Sequence, residues 1–316
     1  MQVRDRPLLT DFYSNIEDFT PDRNSSYIYG LSSEQRSAHH SEWQARVPEI
    51  SFAQIVEQNA SDFRVTFGSC DERISLRSNE QLRKFWKNIH RDTVYLDITG
   101  LSHHVWAPVL RMGLLMRVHV ICIYVEPAKY KFSPTPTEGE IFDLSEAIMG
   151  IAPIPGFASL MELGTGDVCF VPLLGFEGTR LAYLLEQVQP YGGKIFPIVG
   201  APGFRPEYPF FAFHGNRSPL AQTRAWRNVR FAIANCPFSV FYLLSDLAAK
   251  YHRDRLLVAP IGTKPHALGA VLYALANPAR VELVYDHPVR KADRTTGAAR
   301  LLAYHVYGLP ISLRRD

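Results

Sequence analysis

The stretch Leu256-Leu-Val-Ala-Pro-Ile-Gly-Thr-Lys-Pro-His-Ala-Leu-Gly269 decides the fold class. Its first six residues form an unbroken apolar run, of the length and composition of a strand buried on both faces. Gly262 then lets the backbone turn tightly, and Pro265 presets the first turn of a helix. The small and apolar residues that follow, up to position 275, read as a helix packed over that strand. Strand, glycine turn and covering helix together are the repeating unit of a parallel sheet.

Working outward, the same punctuation predicts strands over 168–174, 195–199 and 281–285, and helices over 179–188, 222–233, 238–252 and 295–304. A Pro-rich loop is expected at 202–219. In the first half, strands are expected near 27–30, 50–56, 63–67, 93–99 and 118–125, with helices over 33–46, 79–90 and 105–115. The fold class expected is therefore α/β, with two Rossmann-like parallel-sheet units in one chain. They would comprise an N-terminal arm at 1–25, a first unit at 26–130, a Pro/Gly-rich linker at 131–166 and a second unit at 167–316. The linker carries Pro153-Ile-Pro-Gly-Phe157 and Gly164-Thr-Gly166.

A chain of 316 residues, 47% of them hydrophobic, suffices for two cores. Lys and Arg (34) barely exceed Asp and Glu (31) and are spread along the sequence, so polymeric nucleic acid is not the favoured partner. Cys70, Cys122, Cys169 and Cys236 form no C-x-x-C pair, which argues against a disulfide framework or a zinc ribbon. No apolar run is long enough to span a bilayer and the start, Met1-Gln-Val-Arg-Asp-Arg6, is charged, so the expected location is the cytoplasm, with no membrane partner. There is no Walker loop, no G-x-G-x-x-G after the first strand and no G-x-S-x-G elbow; no cofactor and no metal is expected.

Two short patterns recur in both halves in the same order. The first is a strand, a Gly and, five residues on, an Arg, as in Phe67-Gly68-Ser-Cys-Asp-Glu-Arg73 and Leu174-Gly175-Phe-Glu-Gly-Thr-Arg180. The second is a glycine turn with a His four residues later, then a helix and a strand ending Tyr-x-x-Pro. It runs from Gly100-Leu-Ser-His-His104 to Tyr124-Val-Glu-Pro127 and from Gly262-Thr-Lys-Pro-His266 to Tyr285-Asp-His-Pro288. A glycine turn at the carboxyl end of a parallel strand, followed by a helix N-terminus, is suited to phosphate. The candidate ligand-binding residues are thus Gly175, Glu177, Arg180, Gly262, Thr263, Lys264 and His266, with Gly100, Ser102 and Arg73 from the first half. Lys264 is expected to be an exposed turn cation that contributes little to folding. Glu177 is a weak candidate acid or base, or else the ion-pair partner of Arg180. His104 and His266 read equally as capping or core residues.

The 256–269 stretch resembles the signature of the CARF family, a hydrophobic strand ending in a Gly-Thr-Lys turn before a small-residue helix. Gly175 with Arg180 looks like that family's first-strand loop, and two such halves are similar to the SAVED family. The likeness covers about 168–285 and, more faintly, 63–127. It departs at Ile261, where the family usually has a second Gly, and at Leu101 and Ser102, where Thr and Lys would stand. The resemblance implies two CARF-like units that sense a nucleotide, such as a cyclic oligonucleotide of prokaryotic antiviral defence. Partners would be a separate effector subunit and, in some assemblies, further copies of the chain. Alternatives are a ring-nuclease-like nucleotide hydrolase on the same fold, or a protein-binding subunit of a defence complex. Arg83 to His90 and Arg300 to His305 match the Arg-to-His spacing of HEPN ribonucleases, but Lys84 and Leu301 replace the usual polar amide after each Arg.

Overall fold

The computed structural model describes residues 9–38, 43, 46–89, 91–137, 139–158 and 168–309, and it is an α/β chain. The first part runs β1 (Thr10–Tyr13), β2 (Ser25–Gly30), β3 (Ser51–Gln58), β4 (Asp62–Phe67), β5 (Cys70–Ser75), α1 (Asn79–Ile89), β6 (Thr93–Asp97), α2 (His103–Leu115) and β7 (Val120–Tyr130). The short β8 (Ser145–Ile148) and β9 (Ala152–Pro153) follow. Then come β10 (Val168–Leu173), α3 (Gly178–Val188), β11 (Ile198–Gly200), α4 (Tyr208–Gln222), β12 (Arg230–Ala232), α5 (Pro237–Lys250), β13 (Arg255–Pro260), α6 (Lys264–Ala276), β14 (Val281–Tyr285), β15 (Pro288–Arg290) and β16 (Thr295–Tyr304).

Two main sheets result. One has the order β1-β16-β7-β6-β2-β3-β4-β5, and the other β12-β11-β10-β13-β14-β9; β15 and β8 form a separate ribbon. The four central strands of the first, β7-β6-β2-β3, are parallel, as are the five strands β12 to β14 of the second. Period-two alternation sorts the faces. Ile28 points into a core shared by both sheets and by α1, α2, α5 and α6, whereas Tyr27 and Tyr29 point into an aromatic cluster on the far side with Trp43 and Tyr95. The outer face of the second sheet is covered by α3 and α4 through Leu181, Leu184, Ala212 and Leu220. Gly269 lets α6 close on α5: a Cβ there would stand 2.2 Å from the Pro237 carbonyl oxygen.

The 256–269 stretch folds as read, a strand into a capped helix. Thr263 is the N-cap of α6, its hydroxyl accepting the His266 N–H at 3.3 Å. Elsewhere the structure corrects the reading. Residues 295–304 are not a helix but β16, which pairs antiparallel with β7 and with β1. Leu, Ala and Arg there favour a helix locally, but the open edge of β7 offers ladder bonds and a buried face, and tertiary pairing outweighs propensity. These residues and the strand Thr10–Tyr13 of the expected arm therefore belong to the first sheet, while residues 1–8 lie outside the described residues. The expected Pro-rich loop at 202–219 holds most of α4, because Pro209 sits in the first turn, where its missing N–H costs nothing. The expected helix at 222–233 is a single 3-10 turn followed by β12. Within 33–46 a 3-10 turn spans Gln35–Ser37, and 39–42 and 44–45 lie outside the described residues.

Within the expected linker, β8 and β9 pair with β15 and β14, and Gly164 to Gly166 lie outside the described residues. Arg300 is on a strand, paired to Glu126, and His305 contacts Asp11; Arg83 is on α1, with His90 outside the described residues. No helix among the described residues is long and apolar enough to cross a membrane.

Candidate functional site

From β10 the chain steps outward through β11 to β12, then returns to β13 and steps the other way to β14. The strand order therefore reverses between β10 and β13, and a crevice opens beyond their carboxyl ends, where ligands of open α/β sheets bind. Gly175 and Gly262 stand there, packed on each other's turns. A Cβ on Gly262 would be 2.6 Å from the Leu174 carbonyl oxygen, and one on Gly175 would be 2.8 Å from that of Ile261. Close approach of two backbones is thus one reason for glycine at both sites.

The first sheet reverses in the same way between β2 and β6. Its paired turns are those of Gly30 and Gly100, a Cβ on Gly100 falling 1.7 Å from the Gly30 carbonyl oxygen. The counterpart of Gly175 is therefore Gly30, not Gly68, which makes the β4–β5 hairpin turn at φ +55°. Arg73, expected at the site, lies on the edge strand β5, exposed and bound to Glu57 and Asp62. A glycine-to-arginine spacing cannot by itself tell a hairpin from a strand-to-helix turn. The helix starts also shift the second pattern by one position: Ser102 holds the N-cap position of α2, without a side-chain cap bond, as Thr263 holds that of α6, so His103 stands where Lys264 stands.

Lys264 is the largest departure from expectation. It is buried, at 5% exposure, and its ammonium donates to the carbonyls of Ile98, Thr99 and Leu101 at 2.6, 2.5 and 2.7 Å. Burial, then Arg290 and Arg36, push its pKa well below the usual lysine value. The three acceptors oppose that loss, since only the ammonium has three N–H groups to give them. All its donors are thereby used to tie the second switch point to the first. Lys264 is not an exposed phosphate hook.

Between the two sheets lies a cavity to which Gly175, Glu177, Arg180, Gly262, Thr263 and Lys264 all contribute. Sequence reasoning missed Arg36, Arg290 and Arg294, which also line it, as does His103 of the Gly100-to-His104 pattern. Most of this charge is already spoken for. Arg180 holds Asp286 through two bonds of 2.7 and 2.6 Å and gives a third to the Ile261 carbonyl. Arg36 and Arg294 share the buried Glu34 at 2.8 and 3.0 Å. Glu177 does not pair with Arg180 as one reading had it; its carboxylate accepts the Leu144 N–H at 2.9 Å and the Ser145 hydroxyl at 2.8 Å.

Two donors remain. Arg290 has no carboxylate partner among the described residues, and its Nη2 stands 3.4 Å from His103 Nδ1. Burial and then Arg294 lower its pKa from the usual arginine value. His103 Nδ1 also takes the Tyr285 hydroxyl at 3.2 Å, while its buried Nε2 has no hydrogen-bond partner among the described residues. Burial and then Arg290 hold this imidazole neutral by lowering its pKa well below the usual histidine value. With two donors at Nδ1, the proton sits on Nε2 as an unspent N–H. The cavity has a volume of about 90 Å3. Around it stand the rings of Tyr124, Tyr130, Phe176, Phe204, Tyr208 and Tyr285.

The remaining candidates lie apart from this cavity. Gly100 is consumed by the turn packing, and Ser102 lines a second cavity. His266 is fully buried, with Nε2 3.1 Å from the Ile233 carbonyl oxygen, and burial lowers its pKa to about 4. The unfolded chain takes up this proton near pH 6.5 and the native state only near pH 4, so stability should fall as pH drops through that window. The slope from this residue is up to about 1.4 kcal/mol per pH unit. Urea unfolding between pH 7.5 and 4.5 should show the fall, and His266→Gln should flatten part of it; an unchanged slope would exclude His266 as a source.

Comparison with protein-family models finds none that matches the chain, and a search of curated proteins finds no significant match.

Proposed function

We propose that the chain is a nucleotide-binding sensor whose ligand places a phosphate at Arg290 and His103 and a base among the aromatic rings of the cleft. The observation that carries this reading is the Arg290 guanidinium, without a carboxylate partner among the described residues and beside His103, on a wall where Arg180, Arg36, Arg294 and Lys264 already hold carboxylates or carbonyls. A partly buried cation without a carboxylate costs stability, and an anionic ligand offsets that cost. Charge-assisted bonds from Arg and His to phosphate, with stacking on Tyr or Phe, suit a nucleotide better than a purely apolar molecule. The inner space fits a phosphoryl group, and the rest of the ligand extends toward the mouth. By the CARF-like signature, a cyclic oligonucleotide is the ligand class to try first, with a separate effector as partner.

The test is incubation with cyclic and linear oligonucleotides and mononucleotides, followed by mass spectrometry of protein and supernatant. Retention of one ligand intact is expected. Conversion to a product would replace the sensor reading with a hydrolase, and indifference to the whole panel would remove the nucleotide.

A further inference from the structure

Beside the α2 N-terminus is a second cavity of about 820 Å3. Its walls are made by apolar side chains, chiefly Met149, Ile151, Pro153, Pro155 and Val289. Its polar lining is one-sided. Arg77, His104, His287 and Arg290 contribute, and no Asp or Glu stands among the described residues that line it. His104 turns a buried Nε2 that has no hydrogen-bond partner among the described residues, and its ring lies 5.8 Å from that of His287. Arg290 lines both cavities and has no carboxylate partner among the described residues in either.

These features constrain the occupant. Apolar walls of this extent favour a hydrocarbon body, which loses its contact with water on entering. Two guanidiniums without a lining carboxylate disfavour a cation and leave a neutral molecule without the charge-assisted bonds available to an anion. We infer that this second cavity binds a medium-chain carboxylate, with its head group at Arg290 and its hydrocarbon chain against Ile151, Pro153 and Val289. Such a ligand differs in kind from the nucleotide proposed for the first cavity; both head groups call on Arg290, so the two ligands would compete for it.

Octanoate, 1-octanol and octylammonium, titrated calorimetrically against the full chain, separate charge from apolar burial. Octanoate should bind at least tenfold more tightly than either of the others. Val289 is 38% exposed and lines only the second of the two cavities, so Val289→Glu places a carboxylate in it with little strain on the core. The variant should lose octanoate at least tenfold and Val289→Gln less than threefold, both with the parent's melting temperature and with nucleotide binding unchanged. If Val289→Glu does not fold, Arg77→Glu, at an exposed position on the rim, takes its place. No heat with octanoate at millimolar concentration, equal affinity for 1-octanol, or undiminished binding by the acidic variant would each overturn the assignment. Loss of nucleotide with octanoate binding intact would count against the first cavity alone.

Discussion

Lys264→Met should lower the melting temperature of the free protein by about 10 °C, corresponding to a loss on the order of 3–5 kcal/mol. Methionine fills the volume of the lysine stem, so the change isolates the ammonium. Removing it strands the carbonyls of Ile98, Thr99 and Leu101, which lie more than 160 residues away in sequence and converge on one nitrogen. Each buried acceptor left without a donor costs about 1–3 kcal/mol, and water can recover only part of that. The same change breaks the direct tie between the glycine turns of the two sheets. Calorimetry and urea unfolding of the ligand-free protein read the effect. A melting temperature within 2 °C of the parent, with weakened anion binding, would restore Lys264 to the role of a phosphate ligand.

Arg290→Met should do the opposite. Affinity for the best nucleotide of the panel should fall between roughly tenfold and a hundredfold, or about 1.5–3 kcal/mol, which is the worth of a charge-assisted bond to phosphate. The ligand-free melting temperature should stay level or rise. A partly buried guanidinium whose neighbours are Arg294, Arg36, Tyr285, a neutral imidazole and a Glu34 already shared by the two other arginines has little to lose by becoming apolar. Arg73→Ala is the control, since its exposed ion pairs on β5 lie outside the cavity, and both affinity and melting temperature should match the parent. A fall in stability with affinity intact would make Arg290 a structural residue and take away the chief support for the binding reading.

Arg180 shows why charge alone does not mark a ligand contact. The sequence placed it beside a glycine turn, and it does line the cavity, yet two of its nitrogens hold Asp286 and a third holds a carbonyl. Its bidentate partner is 106 residues distant, on the turn after β14. Arg290 and Arg294 carried no signal in a sequence window. They reach the cavity because β15 and β16 turn back from the second sheet to the first, and that return depends on β16 being a strand.

Legible from adjacent residues were the elements whose determinants lie within one strand or helix length. The apolar run before Gly262, the glycine turn, the Thr263 cap and the small-residue face of α6 follow from adjacent residues, as do β10 with α3 and β6 with α2. The α/β class follows from their alternation. Tertiary structure alone decided which strand completes the β7 edge, which glycines face each other at the switch points, and where the three N–H groups of Lys264 are spent. Local propensity separates helix from strand by tenths of a kcal/mol per residue. A free sheet edge, a buried carbonyl and an unpaired charge each weigh more than that, and they exist only after distant segments have met.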